Sequence, residues 1–266
     1  MKIVIKIGGQ AAENRVGRRR LARQIAALSR SGHHVAIVHG GGKMLTETLA
    51  RLGMATEFHH GLRVTDAATR DVALMVLAGM VNKTWVAELE AQGQAALGIC
   101  GGDGRLVVAR KLSPGKHGPA KDLGFVGRPS RIRPALLEMA FRQGMVPVIA
   151  SLGLSARGAY LNINADDLAA ALATSLRADR LLYLTESGGV WDAERRLLRV
   201  VKVGEIQRLI RQGVVRDGMI PKLRSCARSL RSGVGEIDIM APDAPSALVR
   251  AVERGESLGT RIVKTA

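Results

Sequence analysis

At 266 residues, 47% of them hydrophobic, the chain can bury a full core as one large or two smaller domains. No apolar run approaches the roughly 18 residues of a membrane span, and residues 1–7 read as a short strand rather than a signal peptide. Forty Lys and Arg against 23 Asp and Glu give a formal charge of +17, yet aromatics at 3% leave few stacking platforms, which argues against single-stranded nucleic-acid binding as the main function.

Strands and helices alternate along the chain. Residues 2–7 are short and β-branched, the pattern of a buried strand. Residues 18–31 place Leu21, Ile25 and Leu28 on one helical face, and Gly32 supplies the stop. A strand over 35–38, a helix over 43–52 and a long helical stretch from 66 to about 92 follow, then a strand over 95–100. Residues 105–111 and 125–127 read as hairpin strands around a loop, 113–122, that holds two prolines and two glycines. The second half predicts helices over 134–143, 166–176, 203–212, 221–232 and 245–253, with strands over 146–150, 180–185, 236–240 and 261–264. This order argues for an α/β fold whose largely parallel sheet carries helices on both faces, with a lobe boundary near 177–179. Cys100 and Cys226 lack metal-ligand spacing and make no disulfide framework, so the chain reads as cytosolic and without a metal site of its own.

Several short segments carry chemistry. Lys6 ends the first strand, and Gly8-Gly9 lets backbone approach a ligand closely. His39-Gly40-Gly41-Gly42-Lys43 joins a strand to a helix and forms an anion nest at the helix N-terminus, with His39 read as structural. It is not a P-loop, because the spacer and the Ser/Thr after the lysine are missing. Gly101-Gly102-Asp103-Gly104 reads as a tight hairpin turn. Arg63, beside a helix start capped by Thr65 or Asp66, suits either a carboxylate ligand or a structural salt bridge. Asp166 falls near the second position of a helix capped by Asn164, where the dipole favours an acid. Lys222 follows Pro221, read as the first helical residue. A cation there opposes the dipole, so an anion is expected to bind. Two lysines, one carboxylate between them and glycine amides are parts that move a phosphoryl group, chemistry that rests on positioning and charge neutralisation.

Taken in order, Lys6-Ile7-Gly8-Gly9, His39-Gly40-Gly41-Gly42, Gly61-Leu62-Arg63-Val64-Thr65, Asn82-Lys83, Asn162-Ile163-Asn164-Ala165-Asp166, Gly218-Met219-Ile220-Pro221-Lys222 and Gly259-Thr260 resemble the N-acetylglutamate kinases of the amino acid kinase superfamily along essentially the whole chain. The resemblance implies a three-layer αβα sandwich on an open, largely parallel sheet. An N-terminal lobe, 1–178, would hold the acetylated amino acid and form the dimer, and a C-terminal lobe, 179–266, would hold ATP with Mg2+. It casts Lys6 and Lys222 as stabilisers of the transferring phosphoryl group and Asp166 as their organiser. Gly41, Gly42, Arg63 and Asn162 would contact N-acetylglutamate. Gly8 and Gly9, with Glu186, Ser187, Gly188, Gly189, Val190, Trp191, Val214, Val215 and Arg216, would line the nucleotide site.

Two departures bear on that site: Glu186 stands where the family commonly has aspartate, and Ser187 where it has a bulky residue. Asp217 replaces a frequent glycine. The implied reaction is ATP-dependent phosphorylation of the side-chain carboxylate of N-acetyl-L-glutamate for arginine synthesis. The alternatives are a related kinase acting on an aminoadipate or glutamate carried on a small acidic carrier protein, and a basic nucleic-acid-binding or regulatory protein that has lost activity; Lys6, Asp166 and Lys222 count against the latter. With the first strand starting at Lys2, no residues remain for the N-terminal helix that accompanies arginine inhibition and hexamers in the family. The expectation is a homodimer that arginine inhibits little; whether a PII-type regulator binds is not decided by the sequence.

Overall fold

The computed structural model describes residues 1–8, 14–114, 121–215, 218–242 and 246–264. The chain begins β1 (Lys2–Ile7), α1 (Arg15–Arg30), β2 (His34–His39), α2 (Gly42–Arg51), β3 (Phe58–His59) and β4 (Leu62–Arg63). A continuous helix follows, made of α3 (Ala67–Ala73), a π-helical segment Leu74–Val81 and α4 (Asn82–Glu90). Next come β5 (Ala96–Cys100), β6 (Val107–Lys111), β7 (Val126–Ile132), α5 (Ala135–Arg142), β8 (Val146–Ala150), β9 (Leu152–Ser155), β10 (Tyr160–Ile163), α6 (Ala165–Leu176) and β11 (Arg180–Leu184). The last elements are β12 (Val200–Lys202), α7 (Ile206–Arg211), α8 (Met219–Arg231), β13 (Glu236–Met240), α9 (Ala247–Glu253) and β14 (Thr260–Val263).

Eight strands form one sheet in the order β12-β14-β13-β11-β1-β2-β8-β5, parallel throughout except for the antiparallel pair β13–β14. Helices cover both faces, as expected of strands that read as apolar runs. Alternation along β1 assigns the faces. Ile3, Ile5 and Ile7 share a core with Leu21, Ile25 and Leu28 of α1 and with Trp85, whereas Val4 shares the opposite core with Leu168 and Leu172 of α6. Period two therefore carries Lys6 to the α6 face, at the last turn before the glycines.

Three expectations need correcting. Gly101–Gly104 does not turn a hairpin. β5 belongs to the large sheet, and β6 to a closed four-stranded ring with β7, β9 and β10, two strands of which the sequence pattern did not announce. The turn between them is 3-10, and a Cβ at Gly101 would lie 2.1 Å from the Leu152 carbonyl oxygen, so close approach of β9 is what requires glycine there. The helix carrying Lys222 starts two residues earlier than read, at Met219, which makes Pro221 its third residue, still within the turn where a missing N–H costs nothing. Finally, Ala67–Glu90 is long and apolar enough, by length and composition alone, to cross a membrane, although it holds no unbroken apolar run of that length. Its Val76, Leu77, Trp85 and Leu89 are buried in the two cores that flank it.

Candidate active site

Strand register brings the glycine segments to one edge of the sheet. Ile7 pairs with His39 and with Leu184, and His39 with Ala150, so the chain leaves four parallel strands at one level. β1 connects toward β2, whereas β11 connects toward β13 on its other side. Loops that diverge from adjacent strands open a crevice, and this one lies between Gly8 and the segment after Leu184.

At its base Lys6 Nζ lies 2.8 Å from Asp166 Oδ1, and Lys222 Nζ pairs with Asp166 Oδ2. Three elements converge to make this contact: the end of β1, the first turn of α6 and the first turns of α8. Asn164 caps α6 by accepting from the Asp166 and Asp167 amides, as its type and place predicted. Burial raises the Asp166 carboxyl, but the two ammonium groups outweigh it and hold the group below the ordinary carboxylate range. Asp166 is therefore ionised at neutral pH, with each oxygen turned to one lysine. A Cβ at Gly8 would sit 2.5 Å from the Lys6 ammonium, so a side chain there would push that lysine off its place beside Asp166. Tyr183, beside Lys6 in the register, donates its hydroxyl to the Asp166 carbonyl at 3.2 Å and places its ring 4.8 Å from Lys222 Nζ. Nothing in the local sequence singles this tyrosine out; its register opposite Lys6 is the signal that marks it.

Next to this triad is a cavity of about 170 Å3 lined by Gly40–Gly42, Phe58, Arg63, Leu77, Ser151, Asn162 and Asn164, among others. Gly41 adopts φ 144°, and a Cβ would meet Leu77 Cδ2 at 2.8 Å, so glycine alone lets the π-helical segment close against the nest. Arg63 is buried, and its guanidinium donates to the Gly42 carbonyl at 3.0 Å, Thr46 Oγ1 at 2.7 Å and Thr56 Oγ1 at 3.3 Å, with the Phe58 ring 4.6 Å away. All of these partners are neutral. Among the described residues no acidic side chain pairs with Arg63, so the structural salt bridge that the sequence left open is not made. Asn162 donates to Thr65 Oγ1 at 3.3 Å, and Asp66, not Thr65, caps α3.

His39 is structural, as expected. Its Nδ1 lies 2.7 Å from the Gly40 carbonyl and its Nε2 3.1 Å from Asn82 Nδ2, so Nδ1 carries the proton and Nε2 accepts. Burial pushes its pKa down to about 4, against the Gly40 carbonyl that raises it, and the ring is neutral. The two cysteines are buried thiols, Cys226 pushed up to about 12 by burial, and neither has thiolate character.

On the β11 side, Glu186 and Ser187 are exposed after β11, and Trp191 stands half-exposed with its indole N–H donating to the Ser187 carbonyl at 2.7 Å. Gly188 and Gly189 take φ 65° and 157°. Gly259 and Thr260 hold this loop: a Cβ at 259 would strike the Ile239 and Gly188 carbonyls, and Thr260 Oγ1 accepts from the Val190 amide at 2.7 Å. Val190 and Val215 are not open to the crevice through their side chains, which are buried in the core beneath it, while Val214 is half-buried. Gly9 and Arg216 lie outside the described residues, as do Asp217 and residues 115–120 of the predicted loop. No group of three His, Cys, Asp or Glu side chains able to hold a metal occurs among the described residues.

A model of the amino acid kinase family matches residues 1–240. The chain is 45% identical to an acetylglutamate kinase of Koribacter versatilis over 265 residues, the whole of both chains, and 44% identical to one of Acidobacterium capsulatum over 99% of each. Among solved structures it resembles N-acetylglutamate synthase from Neisseria gonorrhoeae, complexed with coenzyme A and N-acetyl-glutamate, with TM-score 0.86 and 26% identity over all of this chain and 60% of that one.

Proposed function

The chain belongs to the amino acid kinase family, and from that premise we propose that it is an acetylglutamate kinase, transferring the γ-phosphoryl group of ATP to the side-chain carboxylate of N-acetyl-L-glutamate. The observation that carries the acceptor is Arg63: a buried cation with no acidic partner in a small cavity beside the Lys6–Asp166–Lys222 triad. A planar fork of this kind matches the α-carboxylate of the acceptor, with Asn162 and the Gly41 and Gly42 amides completing the cradle.

Held so, the acceptor presents its side-chain carboxylate to the crevice. That group has a pKa near 4 and is already ionised, so its oxygen attacks the γ-phosphorus in line without a general base. The bond to the β-phosphate oxygen breaks, ADP leaves, and the product is an acyl phosphate. Lys6 and Lys222 neutralise the charge that spreads over the equatorial oxygens. Asp166 keeps the two ammonium groups apart and aimed; it is held too acidic, and is too fully engaged, to serve as a base. Gly8 and the loop 186–191, with Val214 and Val215 behind it, would receive the nucleotide, the core side chains of Val190 and Val215 fixing the loop rather than touching the base. Mg2+ would enter as part of the nucleotide complex, held by phosphate oxygens.

The same reading divides the chain at about 178 into an acceptor lobe and a nucleotide lobe that share one sheet, and places the reaction in the cytoplasm. It also favours a homodimer joined through helices of the first lobe, where Met75 and Met80 stand exposed on the π-helical segment. The deciding experiment is a coupled ADP-release assay with the acyl phosphate trapped by hydroxylamine. Hydroxamate formed only when N-acetylglutamate is present supports the assignment; ADP release indifferent to it would overturn the assignment.

A further inference from the structure

A second cleft, of about 870 Å3, lies between β7, α6 and α8 and runs along α6 from Asn164 to Ser175. Arg128 and Arg131 line it from β7 and Arg228 from α8, together with hydroxyls such as Ser130, Thr174 and Ser229. Some arginines elsewhere pair with acids: Arg70 with Asp71, Arg180 with Asp238, Arg196 with Asp192, Arg250 with Glu256. Among the described residues none of these three does. Among the described residues the one acid lining the cleft is Asp167, whose carboxyl burial and the neighbouring Asp166 push up and which Arg228 and Lys222 pull back down. Three cations facing one carboxylate leave the cleft positive, and a concave surface focuses that potential. Like charges gathered this way repel unless an anion neutralises them, and guanidinium forks set among hydroxyl donors match phosphate oxygens.

We propose that this cleft binds a small phosphorylated polyanion at a site separate from the catalytic crevice. The two sites adjoin through α6. Asn164 lines both cavities, and its side chain caps the helix turn that carries Asp166, so occupancy of the cleft bears on the geometry of the triad.

Tripolyphosphate is a suitable probe, titrated calorimetrically into the protein with its crevice saturated by N-acetylglutamate and a non-hydrolysable ATP analogue. One equivalent is expected to bind, weakening as salt rises. Arg128→Ser, Arg131→Ser and Arg228→Ser are each expected to weaken it by about 10-fold, the worth of one charge-assisted contact. The single variants alter exposed side chains, so melting temperature and turnover without the probe should match the parent. Absence of that equivalent, or affinity unchanged in all three folded variants, overturns the proposal.

Discussion

Among the described residues two arginines are almost fully buried, and they stand in opposite electrostatic circumstances. Arg180, at the start of β11, is 8% exposed; it donates to Asp238 at 3.1 Å and to the Ala251 carbonyl at 2.8 Å and forms an ion pair with Glu236 at 2.6 Å, and Arg261 closes the network from β14 at 2.8 Å from Asp238. Arg63, at the mouth of α2, is 6% exposed and meets only a carbonyl, two hydroxyls and an aromatic ring. Burial pushes its pKa down, yet a guanidinium stays charged at neutral pH. The fold supplies the first arginine with acids and, among the described residues, gives the second only neutral partners. The triad is intermediate: Asp166 is satisfied by two lysines, but two positive charges around one negative leave an excess that a phosphoryl group can take up.

The sharpest test of that contrast is stability. Arg180→Ala removes one of the two cations on the buried Asp238, leaving Arg261 in place, and is expected to cost about 3 kcal/mol in urea unfolding, with Michaelis constants of the surviving enzyme unchanged. Arg63→Ala should cost far less; equal losses would erase the distinction. The next effect is on turnover. Lys6→Ala and Lys222→Ala are each expected to lower kcat on the order of 100-fold or more while changing either KM much less, because the charge they supply matters most in the transition state. Near-normal turnover in both would remove them from the chemistry.

A third test asks what happens when a buried cation arises where nothing awaits it. His39 has its pKa depressed from 6.5 to about 4, so the unfolded chain takes up a proton more readily than the folded one. Its contribution to stability is complete above pH 6.5 and drains as pH falls toward 4, about 2 kcal/mol of it by pH 5. His39→Gln should flatten that part of the pH–stability curve; an unaltered slope would assign it to other groups. The smallest effect is the most specific: Arg63→Lys should raise the KM for N-acetylglutamate by roughly tenfold and leave that for ATP alone, since a point charge cannot replace a bidentate fork. A rise in the ATP constant instead would move Arg63 to the nucleotide site.

Much of the fold was legible because its signals are local. The apolar run of β1 named a buried strand, Asn164 named the start of α6, and glycines after strands named the edge where a ligand could approach. Each depends on side-chain shape or on hydrogen bonds within a few residues. The ring of β6, β7, β9 and β10 was only half visible, because short strands such as Leu152–Ser155 acquire their identity from partners far away in sequence. The order of residues thus determined the α/β architecture, the glycine nests and the identities of Lys6, Asp166 and Lys222 as candidates. Tertiary structure alone decided that Lys6 turns to the α6 face, that Tyr183 lies beneath Lys222, that Val190 and Val215 point into the core, and that Arg63 has no acid beside it. Those are statements about which charges end up adjacent in a medium of low dielectric, and adjacency across 50 or more residues is set by packing, not by the local chain.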